Sequence, residues 1–127
     1  MGKGDHEPTH RQSIGKEGEE IARKYLEKRG YKIVTANYRT RHGEIDLIAR
    51  DGATLVFIEV KTRTQERFGS PLAALTPRKC LNISRVALHY LITHGGTEQP
   101  ARFDVVSVRP GEAAEVELVQ NAFDLSS

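Results

Sequence analysis

The stretch that most constrains the fold is residues 54–62, an apolar run that one acid interrupts. Four consecutive apolar residues, Leu55–Ile58, precede Glu59, and Val60 and Lys61 follow it. A run that is apolar on both faces is typical of a central strand covered on both sides. An ionised carboxylate left unpaired in such a strand is strongly destabilising, so Glu59 needs a compensating partner. The stretch therefore predicts a buried strand with a charged site built on it.

The preceding strand supplies a second acid, Asp46. Asp51-Gly52 is typical of a hairpin turn between the two strands. If these two residues form the turn, Asp46 lies opposite Phe57 and diagonal to Glu59; if the loop is two residues longer, Asp46 faces Glu59 directly. Either register brings the two carboxylates within roughly 5–8 Å of each other.

Two carboxylates at this separation repel, so the pKa of one should rise unless a cation lies between them. Lys61 shares the face of Glu59, and an Asp–Glu–Lys ion-pair network is one interpretation. A divalent metal is the stronger interpretation, because Mg²⁺ needs only one or two carboxylates and leaves room for a phosphate. Asp46 and Glu59 would then hold the metal. Lys61 would orient or deprotonate the attacking water, or stabilise charge on the phosphate.

The first helix offers a further acid. Ser13 is expected to cap this helix, and Gly30 to end it. Glu19 lies at the edge of the predicted packed face, where it is the acid best placed to reach over the sheet, with Glu17 as the second choice. The alternative for Glu19 is a surface position favoured by the helix dipole.

The remaining pattern predicts an α/β fold in which helices pack on a small mixed sheet, in the order helix, three strands, helix, two strands. Residues 1–12 are expected to form a flexible leader, and residues 13–127 a single domain. After the first helix, the predicted elements are Tyr31–Tyr38, Glu44–Ala49, Thr54–Lys61, Pro77–Thr93, Arg102–Arg109 and Glu115–Val119.

Composition narrows the class of protein. The 127 residues include one cysteine, Cys80, and no apolar run near the roughly 18 residues needed to cross a membrane. The polar N-terminal segment lacks the apolar stretch of a signal peptide, so a cytoplasmic protein without a membrane span is expected.

The net charge of +2 argues against a uniformly basic binding surface. Four of the 17 acids, however, lie after Arg109, so residues 1–109 carry 19 bases against 13 acids, a balance of +6. The basic side chains nearest the predicted site are expected to contact the phosphates of a nucleic acid; they are Arg39, Arg41, His42, Arg63, Arg67 and Lys79.

Two motifs at this spacing resemble a known family. They are Gly43-Glu44-Ile45-Asp46-Leu47-Ile48 and Phe57-Ile58-Glu59-Val60-Lys61, accompanied by Gly18-Glu19 and Arg102-Phe103-Asp104. Over about residues 13–124 the chain closely resembles the YraN-like family of small bacterial proteins. That family is similar to the restriction-endonuclease-like superfamily, PD-(D/E)xK, which includes archaeal Holliday-junction resolvases.

The resemblance implies a restriction-endonuclease-like core and a nuclease site in which Asp46, Glu59 and Lys61 match the Asp and Glu-x-Lys positions. Glu19 matches the acid of the N-terminal helix and is implied as a further metal ligand. Glu44 is expected to support the site rather than to take part in catalysis. Ile45 stands where the wider superfamily often has Pro.

The implied activity is Mg²⁺- or Mn²⁺-dependent hydrolysis of phosphodiester bonds in structured or branched DNA, with a homodimer cutting two strands. One alternative is a nucleic-acid-binding accessory protein that has the same fold and does not cut. Another is an RNA-directed nuclease. The intact set of Asp46, Glu59 and Lys61 favours an enzyme, whereas no sequence feature separates DNA from RNA.

Overall fold

The computed structural model describes residues 10–63 and 71–124. Its elements follow the predicted order of helix, three strands, helix and two strands, which is thereby confirmed. They are α1 (His10–Lys28), β1 (Lys32–Thr40), β2 (Gly43–Asp51), β3 (Thr54–Thr62), α2 (Pro77–Thr93), β4 (Ala101–Arg109) and β5 (Glu115–Phe123), with a short 3-10 helix at Pro71–Ala74 before α2.

The five strands form one mixed sheet in the order β1-β2-β3-β4-β5. Neighbouring strands are antiparallel except for β3 and β4, which are parallel. A parallel pair requires a crossover connection, and α2 provides it. The mixed sheet predicted from the sequence is thus confirmed. Residues Leu55–Ile58 of the central strand β3 are at most 1% exposed, as their apolar run predicted.

The two helices cover opposite faces of the sheet. On one face, Ala22 and Leu26 of α1 pack against a core that includes Ile58 of β3. On the other face, Val86 and Tyr90 of α2 pack against a core that includes Phe57. None of the helices in the described part of the chain is long and apolar enough to cross a membrane.

The helix starts show one correct and one wrong prediction. Helix α2 has the predicted bounds, and Thr76 caps it by accepting a hydrogen bond from the Lys79 N–H at 3.1 Å, with Pro77 in the first turn. Helix α1 begins at His10, so Ser13 lies inside the helix and does not cap it. Residues 10–12 of the expected leader therefore belong to α1, and residues 1–9 lie outside the described residues.

Both hairpin turns differ from the prediction. The β2–β3 turn is displaced by one residue, and the β1–β2 turn is tighter than expected. The β2–β3 turn is Gly52-Ala53, because Asp51 pairs with Thr54 and remains in the strand. The β1–β2 turn consists of residues 41 and 42 alone, so β1 continues to Thr40, beyond the predicted strand end at Tyr38.

Gly18 sets the distance between α1 and the end of β3. A Cβ atom at this position would lie 2.0 Å from Oγ1 of Thr62 and 2.9 Å from its Cγ2, whereas a Cβ at Gly15 would meet no atom within 4 Å. The Thr62 Cβ itself would lie 3.0 Å away, so rotation of this stiff β-branched side chain would not relieve the whole contact. Gly18 therefore allows the close approach that places its neighbour Glu19 near the sheet.

We expect Gly18→Ala to destabilise the protein by about 1–2 kcal/mol, because overpacking at Thr62 outweighs the gain in helix propensity. The matched control is Gly15→Ala, which should stabilise the same helix by about 0.5–1 kcal/mol. Urea unfolding of both variants measures the difference. Equal stabilisation by the two substitutions would contradict the close packing at Gly18.

Candidate active site

The predicted site lies where β2 parts from β3. Their paired register runs from Asp51–Thr54 to Leu47–Ile58, and continuing it by one residue places Asp46 opposite Glu59. This is the second of the two registers that the sequence allowed. Its cause is a displacement of the turn by one residue rather than a longer loop. Here the Val60 N–H donates to a side chain of β2: the Asp46 Oδ2 accepts this hydrogen bond at 2.8 Å.

Regular strand geometry is interrupted on both sides of Asp46. Ile45 and Ile48 pack in the same core beneath α2, although strict alternation would place them on opposite faces. In β1, the residue opposite Asp46 is Asn37, which has a φ of 55°. Asn adopts this left-handed conformation more readily than most residues. The period-two assignment of Asp46 and Glu59 to one face is therefore too simple, because the strand turns at Asp46 and directs its carboxylate towards Val60.

The Asp46 carboxyl group is held in an unfavourable environment for a charge. Burial and the nearby charge of Glu59 raise its pKa from 3.8 to about 7, and the hydrogen bond from Val60 opposes this rise only in part. Near neutral pH the group is consequently close to half protonated. A divalent cation between Asp46 and Glu59 would offset the repulsion between the two carboxylates and favour the ionised form of Asp46.

Asp46→Asn should stabilise the protein at high pH, because an acid with a raised folded-state pKa favours the unfolded state once that state ionises. The destabilisation of the wild type by Asp46 is absent below pH 3.8, grows as the pH rises from 3.8 to about 7, and is constant at higher pH. Allowing for solvent screening, we expect a gain of about 1–2 kcal/mol at pH 8.

Urea unfolding of Asp46→Asn and of the wild type at pH 4 and pH 8, in the presence of a chelator, measures this gain. The exposed Asp124 provides the control: its Asn variant should show no such pH-dependent difference. A stability difference for Asp46→Asn that is the same at both pH values would contradict the raised pKa.

Glu59 lies between two lysines. Its Oε2 is 2.6 Å from Lys79 Nζ and 3.8 Å from Lys61 Nζ, and its side chain is 11% exposed. Burial and the positive charge of Lys79 lower the pKa of Lys61. For Lys79 burial also acts against the charge, but the hydrogen bond and charge of Glu59 outweigh it and raise the pKa. The compensating partner that Glu59 required is thus mainly Lys79, which the sequence assigned to nucleic-acid binding.

Glu19 approaches the same site from α1, which covers the face of the sheet opposite to α2. The Asn37 side-chain amide donates to both Glu19 carboxylate oxygens, at 3.5 and 3.4 Å. Burial raises the pKa of Glu19, the bond from Asn37 opposes the rise, and the charges of Glu44 and Glu59 add to it. Asn37 is therefore a site residue to which sequence reasoning gave no role. The signal that could have revealed it is an Asn, a residue tolerant of left-handed backbone, within a β-rich segment.

The donor set suits a hard cation. Mg²⁺ is commonly held by one or two carboxylates together with water, and the acids Asp46 and Glu59 supply oxygen ligands of this kind. Among residues 10–63 and 71–124, no three or more His, Cys, Asp or Glu side chains lie close enough to hold a metal as a group. A cation held by Asp46 and Glu59, with Glu19 as a further ligand, stays a prediction.

The predicted basic residues lie in different places. Arg39 is exposed and pairs with Glu44 at 3.5 Å, Arg41 is exposed in the turn, and Arg63 follows β3, where its N–H donates to the Val108 carbonyl. Arg67 lies outside the described residues. An open groove of about 310 Å³ separates the β1–β2 turn from the start of α2, lined by residues that include His42, Glu44, Arg78, Lys79 and Asn82. Nucleic-acid contact by these bases stays a prediction.

Comparison with known proteins reveals close relatives over nearly the whole chain. The family model described as "Uncharacterised protein family UPF0102" matches residues 18–108. A UPF0102 protein of Syntrophus aciditrophicus is 48% identical over 120 residues, which cover 93% of this chain and 94% of the relative. A UPF0102 protein of Desulfosudis oleivorans is 51% identical over 116 residues, covering 91% and 94%, respectively. A third, from Geobacter sulfurreducens, is 43% identical over 128 residues, covering 99% and 98%.

Proposed function

Because this chain belongs to the uncharacterised protein family UPF0102, the YraN-like proteins, we propose its function from the site itself: a metal-dependent endonuclease that hydrolyses phosphodiester bonds in structured or branched DNA. The observation that carries the proposal is the meeting of Asp46 and Glu59 where β2 and β3 separate, with the pKa of Asp46 raised to about 7. Buried acids with strongly raised pKa values cluster at functional sites, where the strain of like charges is relieved by a ligand.

Asp46 and Glu59 would hold Mg²⁺ or Mn²⁺, which supplies Lewis-acid chemistry at the scissile phosphate. Lys61 has a lowered pKa and an ammonium group 3.8 Å from Glu59. Such a group can accept a proton from the attacking water when neutral, or donate a hydrogen bond to a phosphate oxygen when charged. Glu19, held by Asn37, would orient solvent or a further cation from the α1 side.

The basic residues around the site would position the substrate backbone without reading its sequence. Arg39, Arg41 and His42 lie on one side of Asp46 along the chain, and Arg63 and Arg67 follow Lys61 on the other. Cutting both strands of a branched junction requires two active sites, so the proposal includes a homodimer on such substrates. It places the enzyme in the cytoplasm, where DNA intermediates of this kind occur.

The second candidate is a nucleic-acid-binding protein of the same fold that does not cut. It is favoured by the Lys79–Glu59 ion pair, which already compensates one of the two acids, and by the missing three-ligand group among the described residues. An RNA-directed nuclease is the third candidate, since a carboxylate and lysine site of this kind does not distinguish the two sugars.

The deciding experiment incubates labelled linear, flapped and four-way DNA, and RNA of matched shape, with Mg²⁺, Mn²⁺ or a chelator. The proposal expects metal-dependent cleavage of branched DNA by the wild type and none by Asp46→Asn purified in parallel. Cleavage of RNA alone would support the third candidate. Binding without cleavage of any substrate would support the second. Cleavage that persists in Asp46→Asn would place the site elsewhere.

A further inference from the structure

The ion pair between Lys79 and Glu59 engages one of the two carboxylates that would hold a metal ion. We propose that Lys79 is a resident counter-ion of Glu59, that a divalent cation displaces it, and that the displaced ammonium then binds a substrate phosphate in the neighbouring groove. This inference rests on the proposed function, since it assumes that Asp46 and Glu59 hold the cation.

Displacement follows from the contacts of Glu59. Its Oε2 is only 2.6 Å from Lys79 Nζ, and Lys61 Nζ is already near the same oxygen at 3.8 Å. A divalent cation bound between Glu59 and Asp46 would bring two further positive charges within a few ångströms of the Lys79 ammonium. At such separations in a partly buried site, like charges repel strongly. Withdrawal of one lysine would relieve this repulsion and favour binding of the cation.

Lys79 is the lysine that can withdraw. The two lysines are similarly exposed, at 34% for Lys79 and 28% for Lys61, but Lys79 extends from the first turn of α2, whereas Lys61 projects from the sheet itself. Lys79 also lines the open groove of about 310 Å³ beside the site, together with His42 and Asn82. Its long flexible stem allows the ammonium to move from Glu59 into this space.

The groove gives the displaced charge a partner of definite chemistry. A phosphate oxygen of a nucleic-acid backbone is a strong acceptor for an ammonium group. A cation at Asp46 and Glu59 therefore makes Lys79 available to the substrate, and the two binding steps become mutually favourable. Without the cation, Lys79 stays paired with Glu59 and contributes little to substrate affinity.

The first test measures Mn²⁺ binding to the full chain by calorimetry, without any substrate. Lys79→Met should bind Mn²⁺ on the order of tenfold more tightly than the wild type, because Glu59 loses its internal competitor. Arg78→Met is the matched control: Arg78 is exposed, adjacent in α2, and lines the same groove, so it removes a nearby charge without releasing Glu59. Its affinity should change by less than about threefold. Lys79→Gln repeats the test with a polar side chain if the Met variant unfolds.

The outcomes separate the inference from the function on which it rests. Saturable Mn²⁺ binding that is lost in Glu59→Gln, with equal affinities for the wild type and Lys79→Met, overturns the counter-ion role and leaves the metal site standing. No saturable binding by any variant overturns the metal site and the counter-ion role together. Tighter binding by both Lys79→Met and Arg78→Met to the same extent also overturns the inference, because it reports only net charge.

The second test measures affinity for four-way DNA with and without Ca²⁺, a hard cation that allows binding to be followed. Ca²⁺ should tighten DNA binding by the wild type on the order of tenfold, and by less than about threefold in Lys79→Met. An equal gain in the two proteins would overturn the part of the inference that moves Lys79 to the substrate phosphate.

Discussion

Asp104→Ala is expected to lower the free energy of unfolding by about 3–5 kcal/mol, which is a large share of the stability of a small domain. The Asp104 side chain is fully buried within β4. It accepts hydrogen bonds from Tyr31 Oη at 2.7 Å, from Arg102 Nε at 3.0 Å and from the Asn121 N–H at 3.0 Å. Its removal would take an acceptor from all three donors, and one of them, the Tyr31 hydroxyl, belongs to a residue that is only 4% exposed.

The network around Asp104 connects distant parts of the chain. Arg102 Nη2 donates to Tyr31 Oη at 2.9 Å and to Asp51 Oδ2 at 2.7 Å, and the Gln120 amide donates to the same Tyr31 oxygen. These bonds join the segment after α1, the β2–β3 hairpin, and strands β4 and β5. Polar networks of this kind stabilise a fold only when every polar group has a hydrogen-bond partner, so the loss of one group weakens the hydrogen bonding of the others.

Urea unfolding of a small series tests this expectation. Tyr31→Phe removes one donor and should cost about 1–2 kcal/mol. The exposed Glu112 provides the control, since its Ala variant should lie within about 0.5 kcal/mol of the wild type. A cost for Asp104→Ala no greater than that for Tyr31→Phe would show that the buried charge is not essential.

Asp104 and Glu59 show where sequence reasoning ends. Each is an acid within an apolar strand, and the rule that identified Glu59 applies equally to Asp104. In the sequence, Asp104 was only part of a motif shared with a family, because its partner Tyr31 lies 73 positions away. The structure separates the two acids by their surroundings. Asp104 has a full set of hydrogen-bond donors, whereas Glu59 lies beside a second acid that is strained by its charge.

Features that depend only on residues close together in the chain, such as the bounds of helices and strands, could be predicted from the sequence. The bounds of α2 followed from Thr76, Pro77 and the apolar spacing, and β3 followed from its apolar run. The register of β2 against β3 could be narrowed only to two choices, because the residues of the turn do not by themselves exclude a shift of the turn by one position. The left-handed Asn37 and the interruption at Asp46 depend on three strands together, and no local pattern encodes them.

The two acidic clusters also differ in what they do for stability. The Asp104 network is expected to stabilise the sheet, whereas the raised pKa of Asp46 predicts that its proximity to Glu59 destabilises the sheet at neutral pH, so Asp46→Asn is expected to be the more stable protein. Active sites commonly retain such unfavourable charges because function requires them. Stability lost at the site is offset by satisfied interactions elsewhere in the same sheet.

Glu59→Gln is expected to reduce metal-dependent phosphodiester cleavage by about 10³-fold or more. Gln keeps the size of the side chain but loses the negative charge that would hold the cation, and a catalytic cation supplies much of the charge stabilisation in phosphoryl transfer. Lys61→Met should reduce the rate by about 10²–10³-fold, because it removes a single charged group that the proposed mechanism places at the reacting phosphate. The two variants differ in their metal dependence: excess Mn²⁺ should leave Lys61→Met impaired, since its defect does not lie in the binding of the cation.

Single-turnover cleavage of the preferred branched substrate, measured across a range of Mn²⁺ concentrations, distinguishes these two roles. Lys24→Met serves as the matched control, because Lys24 is exposed on α1 and pairs only weakly with Glu20 at 3.8 Å. Its rate should remain within about threefold of the wild type. Full activity of Lys61→Met would remove Lys61 from the mechanism. Restoration of that activity by added Mn²⁺ would instead make Lys61 a residue that supports Glu59 through its charge, leaving proton transfer to solvent or to Glu19.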